Sequence, residues 1–594
     1  MIAPDLRHPG IVFCESLAAL HAARAAGLTN DAAIRSAAPA LAFGDTGVEP
    51  LEVGPPRLMA YWNDALALSE AVFRTMEDAG HSHAEALVAA RTAVCLHRKL
   101  TSLLAFTAQD FIQPRLFIGL RTGDSALDAR LTPSWIGLLA QNPRFSEYSV
   151  ESRIGQVSEN KPPSFAARLR LSGIADIGCR LALRYWRDRN AGTKPVLLLS
   201  HPTELAREIA WELCRKGMAL KEIKAADLAN VALADIDDAV LAPVGAFLDR
   251  WFPSEAKSAA LALWRRDLSQ AQGAYLAALA QWRVRLPQLL PQGKGAILTG
   301  FPGAASALAM GSAAQENDIP VVAVQHGVTR EIAQTHDALQ CNYENAACDL
   351  FLTFNPEASE ISQRSPFGRS QIATIGMPRV YRRMRRSIGR EKQYPILYVS
   401  TALLAGNVNH LSGGVSDIER TRREMSLIDA VLSRLPHGVT YKPYSSGSRY
   451  ADPNPVLTEL GRHPRIKLYT AADDLRYMAD RYRILVTARA TSTVSWCLMA
   501  QKPLVYINHP DHAPLRPDAR TAFVQALFLF DWDAHLFERL RDFLSQPLAE
   551  IEDAWDAMAK PREELCRRFL TIPGWQAGAR GAEVIWQKLN ARTG

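Results

Sequence analysis

The sequence predicts an α/β protein built of two units. Short apolar runs of strand length alternate with amphipathic helical stretches along most of the chain, the pattern of layered α/β structure. A length of 594 residues is too great for one hydrophobic core. A basic stretch, MPRVYRRMRRSIGREKQYP, splits the series in two: Arg379, Arg382, Arg383, Arg385, Arg386, Arg390 and Lys392 crowd before Pro395, which reads as an interdomain linker. The units are therefore expected at 1–385, with extra helices, and 392–594.

Each element follows from its local pattern. IVFCES (11–16) reads as a buried strand, LAALHAARAAG after it as a helix, and AAIRSAAPALAFG as a strand with its turn. Residues 57–107 read as helix and PRLFIGL (114–120) as another strand. In the middle, KPVLLLS (194–200) is a strand and HPTELAREIAWELCRKG a helix ended by Gly217. Residues 236–290 are helical. GAILTG (295–300), IPVVAVQHG (319–327), DLFLTF (349–354) and QIATIG (371–376) are strands. Beyond the linker, strands fall on PILYVST (395–401), GVTYKPY (438–444), RIKLYT (465–470), RILVTAR (483–489) and PLVYIN (503–508), with a helix on TSTVSWCLMAQ and a helical tail from about 532.

Composition excludes several classes. Sixty-eight basic against 61 acidic residues give a net charge of +7, too mild to mark a nucleic-acid binder but compatible with anionic substrates or an anionic surface. No secretory signal and no run long and apolar enough to span a membrane is read. The eight cysteines are scattered without metal spacing, so reduced thiols in the cytoplasm are expected and no metal site is predicted.

Three stretches could carry chemistry. Gln325-His326-Gly327 ends a strand, where open α/β sheets bind ligands. A glycine there admits close backbone approach, and a histidine can donate to phosphate or take a proton. The alternative is a histidine satisfied by loop carbonyls. Lys442, in the run Tyr441 to Ser446, could hold a phosphate as a point charge; a solvated strand-end lysine is its alternative. Arg489, Thr491, Ser492 and Thr493 precede a helix whose free N–H groups and dipole favour an anion, against plain N-capping by Thr491 or Ser492. Glu15 and Glu204, at strand ends of the first unit, are the candidates for a catalytic base. In His201-Pro202 the proline explains itself as part of a helix start.

The order IPVVAVQHG, DLFLTF, QIATIGMPR, then TYKPYSSGSRY and ILVTARATSTVSWCLMAQKPLVYIN resembles GT-B polysaccharide transferases over roughly residues 295–510. The group includes capsule Kdo transferases, bacterial polysialyltransferases and, more remotely, CDP-glycerol glycerophosphotransferases. The resemblance implies two Rossmann-like domains facing a cleft, the first for the acceptor and the second for a nucleotide-sugar donor. It implies His326 at the cleft, with Gln325, Gly327, Lys442, Tyr444, Arg489, Thr491, Ser492 and Thr493 about the donor. Tyr444 departs from the pattern, which usually has histidine there; a tyrosine has no cation to offer.

The function this implies is metal-independent glycosyl transfer, without cofactor, to a surface-glycan or lipid-linked acceptor. Among donors, Kdo or another nonulosonic acid carried by CMP fits the resemblance best. A nucleotide-sugar 2-epimerase, a polyol-phosphate transferase and a non-catalytic assembly protein of the same architecture are the alternatives. The protein is expected in the cytoplasm. The basic stretch 379–392 could touch the inner membrane, or be a solvated linker.

Overall fold

The structure is a computed structural model of the chain. It describes residues 11–14, 16–30, 32–107, 115–121, 145–151, 177–186, 194–224, 231–290, 294–336, 344–381, 393–401, 415–444, 452–471 and 473–591. Most of the linker and Glu15 lie outside the described residues.

Two parallel six-stranded sheets carry the fold, as the α/β class with two Rossmann-like domains requires. The first runs in the order β11-β10-β9-β8-β6-β7. Its strands are β6 (Val196–Ser200), β7 (Ala219–Glu222), β8 (Gly295–Thr299), β9 (Val321–Val324), β10 (Leu350–Thr353) and β11 (Gln371–Thr374). The second runs β14-β13-β12-β15-β16-β17. It comprises β12 (Tyr394–Val399), β13 (Val439–Lys442), β14 (Ile466–Leu468), β15 (Tyr482–Ala488), β16 (Leu504–Asn508) and β17 (Phe528–Asp531). Counted within itself, the second sheet has the order 3-2-1-4-5-6 of dinucleotide-binding folds. Central strands β6, β8, β9, β10 and β16 are buried at every residue, because helices cover both faces of a parallel sheet.

Beside the added helices, the described residues of the N-terminal region contribute a third parallel sheet, ordered β3-β2-β1-β4-β5. Its strands are β1 (Ile11–Cys14), β2 (Ala33–Ser36), β3 (Glu49–Pro50), β4 (Arg115–Arg121) and β5 (Phe145–Glu151). The helices Pro55–Asp78 and His83–Thr107 leave this sheet and join the 36-residue helix Ser254–Leu289 in one core under the middle sheet. His83 fastens the join by donating to the Ala346 carbonyl at 3.0 Å. The same N-terminal unit also reaches the C-terminal one: Arg422 pairs with Glu52, and the Asp452 carboxylate accepts from the Leu17 amide at the start of the helix Leu17–Ala25.

The tail crosses back. The last helix, Ala577–Ala591, packs on the helix Glu204–Arg215 of the middle sheet. Glycines make the approach: a Cβ at Gly578 would stand 3.0 Å from Glu208 Cβ, and one at Gly581 would stand 2.8 Å from Ile209 Cδ1. Lys216 to Glu583 at 2.7 Å and the Met377 amide to Thr571 Oγ1 at 2.9 Å close the seam. The middle and C-terminal sheets are thereby tied twice, once by the linker and once by this return. Among the described residues no helix is long and apolar enough to cross a membrane.

Candidate functional site

The carboxyl ends of the two six-stranded sheets meet across a cleft. On the middle-sheet side, the chain leaves β9 through Gln325, His326 and Gly327. On the other, it leaves β15 through Arg489 and enters the helix Ser492–Met499. The two turns touch: a Cβ on Gly327 would lie 3.2 Å from Ser492 Cβ. A side chain at 327 would crowd Ser492, which would have to give by a few tenths of an ångström, so glycine suits the close approach here without any positive φ.

His326 is exposed to solvent yet hemmed in by protein on most sides, as a side chain in a cleft must be. Burial lowers its pKa below the usual histidine value, and the Glu204 carboxylate acts in the opposite sense. The imidazole is thus neutral near pH 7 and can accept a proton. Its backbone amide donates to Glu344 Oε1 at 3.3 Å, which fixes the loop.

The Gln325 side chain is engaged inside the fold: Nε2 donates to the Gly327 carbonyl at 2.9 Å and to Glu331 Oε1 at 2.8 Å, and Oε1 accepts from the Phe354 amide at 2.7 Å. Buried with both amide hydrogens engaged, it shapes the turn that presents His326. Glu204, a base candidate among the described residues, is held in an ion pair. Burial raises its pKa most, but Arg476, whose NH1 donates to Oε1 at 3.0 Å, together with its own backbone amide and Arg207, brings the net pKa below the usual glutamate value. A carboxylate held in that pair is a poor proton acceptor. Glu15, the other base candidate, lies outside the described residues.

On the C-terminal side, Lys442 ends β13 and is buried. Burial depresses its pKa, while Asp474 and Asp473 support the charge. Its Nζ stands 5.9 Å from the Tyr469 ring centre. Arg489 is buried in left-handed backbone, with φ of 68°. Burial first and Arg420 second push its pKa down to about 9. A non-glycine residue held there costs on the order of 1–3 kcal/mol, and such strain gathers at functional sites. Thr491 occupies the N-cap position, but its hydroxyl makes no capping bond. The simple capping explanation of that residue therefore fails. Ser492 is partly exposed and Thr493 buried at the helix start. Tyr444 is 45% exposed, within range of the charge on Arg489.

Sequence reasoning missed two groups. Arg476 joins the units and is taken up below. The loop after β16 brings together His509, Asp511 and His512, with one ligand atom from each within 4.8 Å, the one such group among the described residues. It bears directly on the expectation of no metal. Arg423 already fills the place of a cation: its guanidinium donates to the Asp511 carboxylate and lies 3.1 Å from His509 Nδ1. Burial lowers the pKa of both histidines, of His512 to about 4, with Arg423 and Arg489 adding to the effect. Arginines so near oppose a divalent ion. The sequence signal was His-Pro-Asp-His at a strand end, too short to weigh alone. His201, discounted in favour of its proline, has left-handed backbone, φ 44°, at the end of β6. The helix beyond it begins at Glu204 with Thr203 as N-cap, so Pro202 precedes the helix instead of opening it.

Residues 297–526 match the model of the LIC12162 family transferase. No curated protein matches the chain. Among solved structures, the chain is similar to the S. aureus MnaA–UDP co-structure at 12% identity and a TM-score of 0.41, over 67% of this chain and 97% of that one. A glycosyltransferase from Rickettsia africae gives 12% and 0.40, over 67% and 99%. Acinetobacter baumannii MurG gives 14% and 0.36, over 66% and 99%. Likeness at this level does not extend to substrate or activity.

The role of Gln325 is open to measurement. Gln325→Ala strands buried partners of three hydrogen bonds and is expected to cost about 2–4 kcal/mol. Thermal unfolding should show a fall of several degrees, while nucleotide affinity of the folded protein stays normal. Wild-type stability with weakened nucleotide binding would return Gln325 to the donor site.

Proposed function

We propose that the chain is a glycosyltransferase that holds a nucleotide-sugar donor on the C-terminal sheet and moves its sugar to a glycan or lipid-linked acceptor reached from the middle sheet. The observation that carries this is the contact of the Gly327 turn with the start of the Ser492–Met499 helix. That contact sets a neutral histidine opposite an anion-favouring helix end. Chemically, the bond between the sugar's anomeric carbon and the donor phosphate breaks, and the acceptor oxygen forms the new one. His326 takes the hydroxyl proton. The departing phosphate takes up the negative charge, stabilised by helix N–H groups, the hydroxyls of Ser492 and Thr493, and the cations Lys442 and Arg489. The similarity of residues 297–526 to a transferase family supports group transfer as the reaction type.

The electrostatics favour an anion in particular. Arg489 feels the charge of Arg420, which repels it, and stands three residues before a helix N-terminus. An anionic ligand relieves that repulsion. A CMP-linked acidic sugar, Kdo or another nonulosonic acid, brings a phosphate and a carboxylate together, and a site with Lys442, Arg489 and a helix N-terminus suits both. No cofactor or metal is required by this chemistry, and a lipid-linked acceptor would bring the protein to the inner membrane from the cytoplasmic side.

Three outcomes are expected. His326→Ala removes most transfer in a folded protein, and the acid limb of the wild-type pH–rate profile falls below the ordinary histidine pKa of 6.5, because burial favours the neutral ring. Turnover unchanged in the folded variant would overturn that role. Ser492→Ala with Thr493→Ala weakens donor binding by about 1.5–3 kcal/mol and spares acceptor binding; a loss of thermal stability alone would make the pair structural. In calorimetric titrations CMP binds and EDTA leaves transfer intact. Tight UDP binding without CMP binding refutes the donor, and rescue of chelated enzyme by magnesium or manganese refutes metal independence.

A further inference from the structure

Arg476 is placed where three parts of the molecule meet. It lies in the short turn Leu475–Tyr477 of the C-terminal unit and is 11% exposed. Two of its nitrogens grip the carboxylate of Asp474, Nε to Oδ1 at 2.9 Å and NH2 to Oδ2 at 2.8 Å. The remaining one, NH1, crosses to the middle unit and donates to Glu204 Oε1 at 3.0 Å. The guanidinium carbon stands 5.2 Å from the ring centre of Tyr381 and 5.3 Å from that of Trp496. Tyr381 lies at the start of the basic linker, where the middle unit ends, and the described residues resume at Gln393. Trp496 lies one turn along the helix that starts at Ser492.

Each neighbour of Arg476 also leads to a candidate functional group. Glu204 raises the pKa of His326 through its charge. Asp474 does the same for Lys442. Trp496 shares its helix with Ser492 and Thr493. Other polar ties between these units include two backbone bonds, the Gln334 amide to the Pro514 carbonyl at 3.1 Å and the Arg516 amide to the Ile332 carbonyl at 3.0 Å, beside side-chain ties made by the tail such as Arg568 Nε to Glu357 Oε2 at 2.8 Å. The two backbone bonds flank an antiparallel bridge between Ala333 and Leu515. The Arg476–Glu204 pair is an ion pair between side chains. It is lost once the units separate by a few ångströms, and both ends can then be solvated.

From this juxtaposition we infer that Arg476 is a positioning residue and that its bridge to Glu204 is the latch holding the cleft closed, with His326 in register against the Ser492 helix end. The inference rests on the cleft being the site of transfer, but the latch itself is a statement about shape. Its charge balance fits the role. Arg476 keeps Asp474 whether the cleft is open or shut, so opening exposes one paired cation and one carboxylate and leaves no bare charge buried.

The test uses the full-length chain. Glu204→Ala removes the cross-cleft bond and leaves the Asp474 grip and both ring contacts in place. Glu204→Gln keeps an acceptor, and Arg476→Lys with Glu204→Ala completes a double-mutant cycle. Small-angle X-ray scattering of the ligand-free protein is expected to give a larger radius of gyration for Glu204→Ala, an intermediate one for Glu204→Gln, and no further expansion for the double variant, with circular dichroism unchanged. In transfer assays with CMP-Kdo as the probe donor, kcat falls about tenfold, the size of one charge-assisted hydrogen bond, while donor KM changes little. A wild-type radius in Glu204→Ala, or expansions that add in the double variant, overturns the latch. If the wild-type protein transfers no sugar at all, the glycosyltransferase reading falls and the scattering result still decides the latch.

Discussion

The close approach of Gly327 to Ser492 is the constraint on which the rest of the site depends. Ligands of open α/β sheets bind at the carboxyl ends of the strands, and here the turns after β9 and β15 come together. A Cβ at 327 would meet Ser492 Cβ at 3.2 Å, so the missing side chain admits the close approach of the two turns. Everything polar in the cleft is organised from that point. Gln325 is spent on holding the turn, His326 is left facing the gap, and the helix start brings its hydroxyls to the other wall. The tail fixes the same geometry from behind, since Gly578 and Gly581 let the last helix lie directly on the helix that carries Glu204.

Central strands were legible from their burial, while edge strands were read unevenly: Gln371–Thr374 and Ile466–Leu468 lie at sheet edges and were still read. Strands read correctly, such as Val196–Ser200, Gly295–Thr299 and Leu504–Asn508, are central, and they are buried at every residue. A continuous apolar run is the only composition such a position tolerates. The strands that escaped notice, Glu49–Pro50, Phe145–Glu151, Ala219–Glu222 and Phe528–Asp531, all lie at sheet edges. An edge strand pairs on one side only and is covered less, so glutamate, serine and lysine are admitted and the pattern fades. The third sheet was hidden for that reason: two of its five strands are such edges, and the helices after them dominate the local pattern.

Among site residues the legible ones were those whose role is local. A glycine after a strand, hydroxyls before a helix and a lysine at a strand end are each visible within a few positions. The internal bonds of Gln325 and Glu204 could not be read from the sequence, because they depend on partners that the fold brings in. Glu331 and Phe354 hold the first; Arg476, 272 positions away in sequence, holds the second. Arg476 itself follows two aspartates and reads from sequence as a solvated charge. Only the fold brings Glu204, Tyr381 and Trp496 around it.

Tyr444 was the residue that argued most against the resemblance, since it withdraws a cation from the expected phosphate site. The fold offers a physical answer. Arg489, three residues before the helix start, comes within charge range of Tyr444, and burial first and Arg420 second depress its pKa to about 9. The region is thus already rich in buried positive charge, and a further histidinium at 444 would add to a repulsion that burial makes expensive. A phenol that is half-exposed can still donate a hydrogen bond to an anion without raising that repulsion. The neutral His509 and His512 fit the same logic: next to Arg423 and Arg489, an imidazole stays uncharged. The cations that remain are arginines, the side chains least able to give up their protons, concentrated on the wall of the cleft where the Ser492 helix begins.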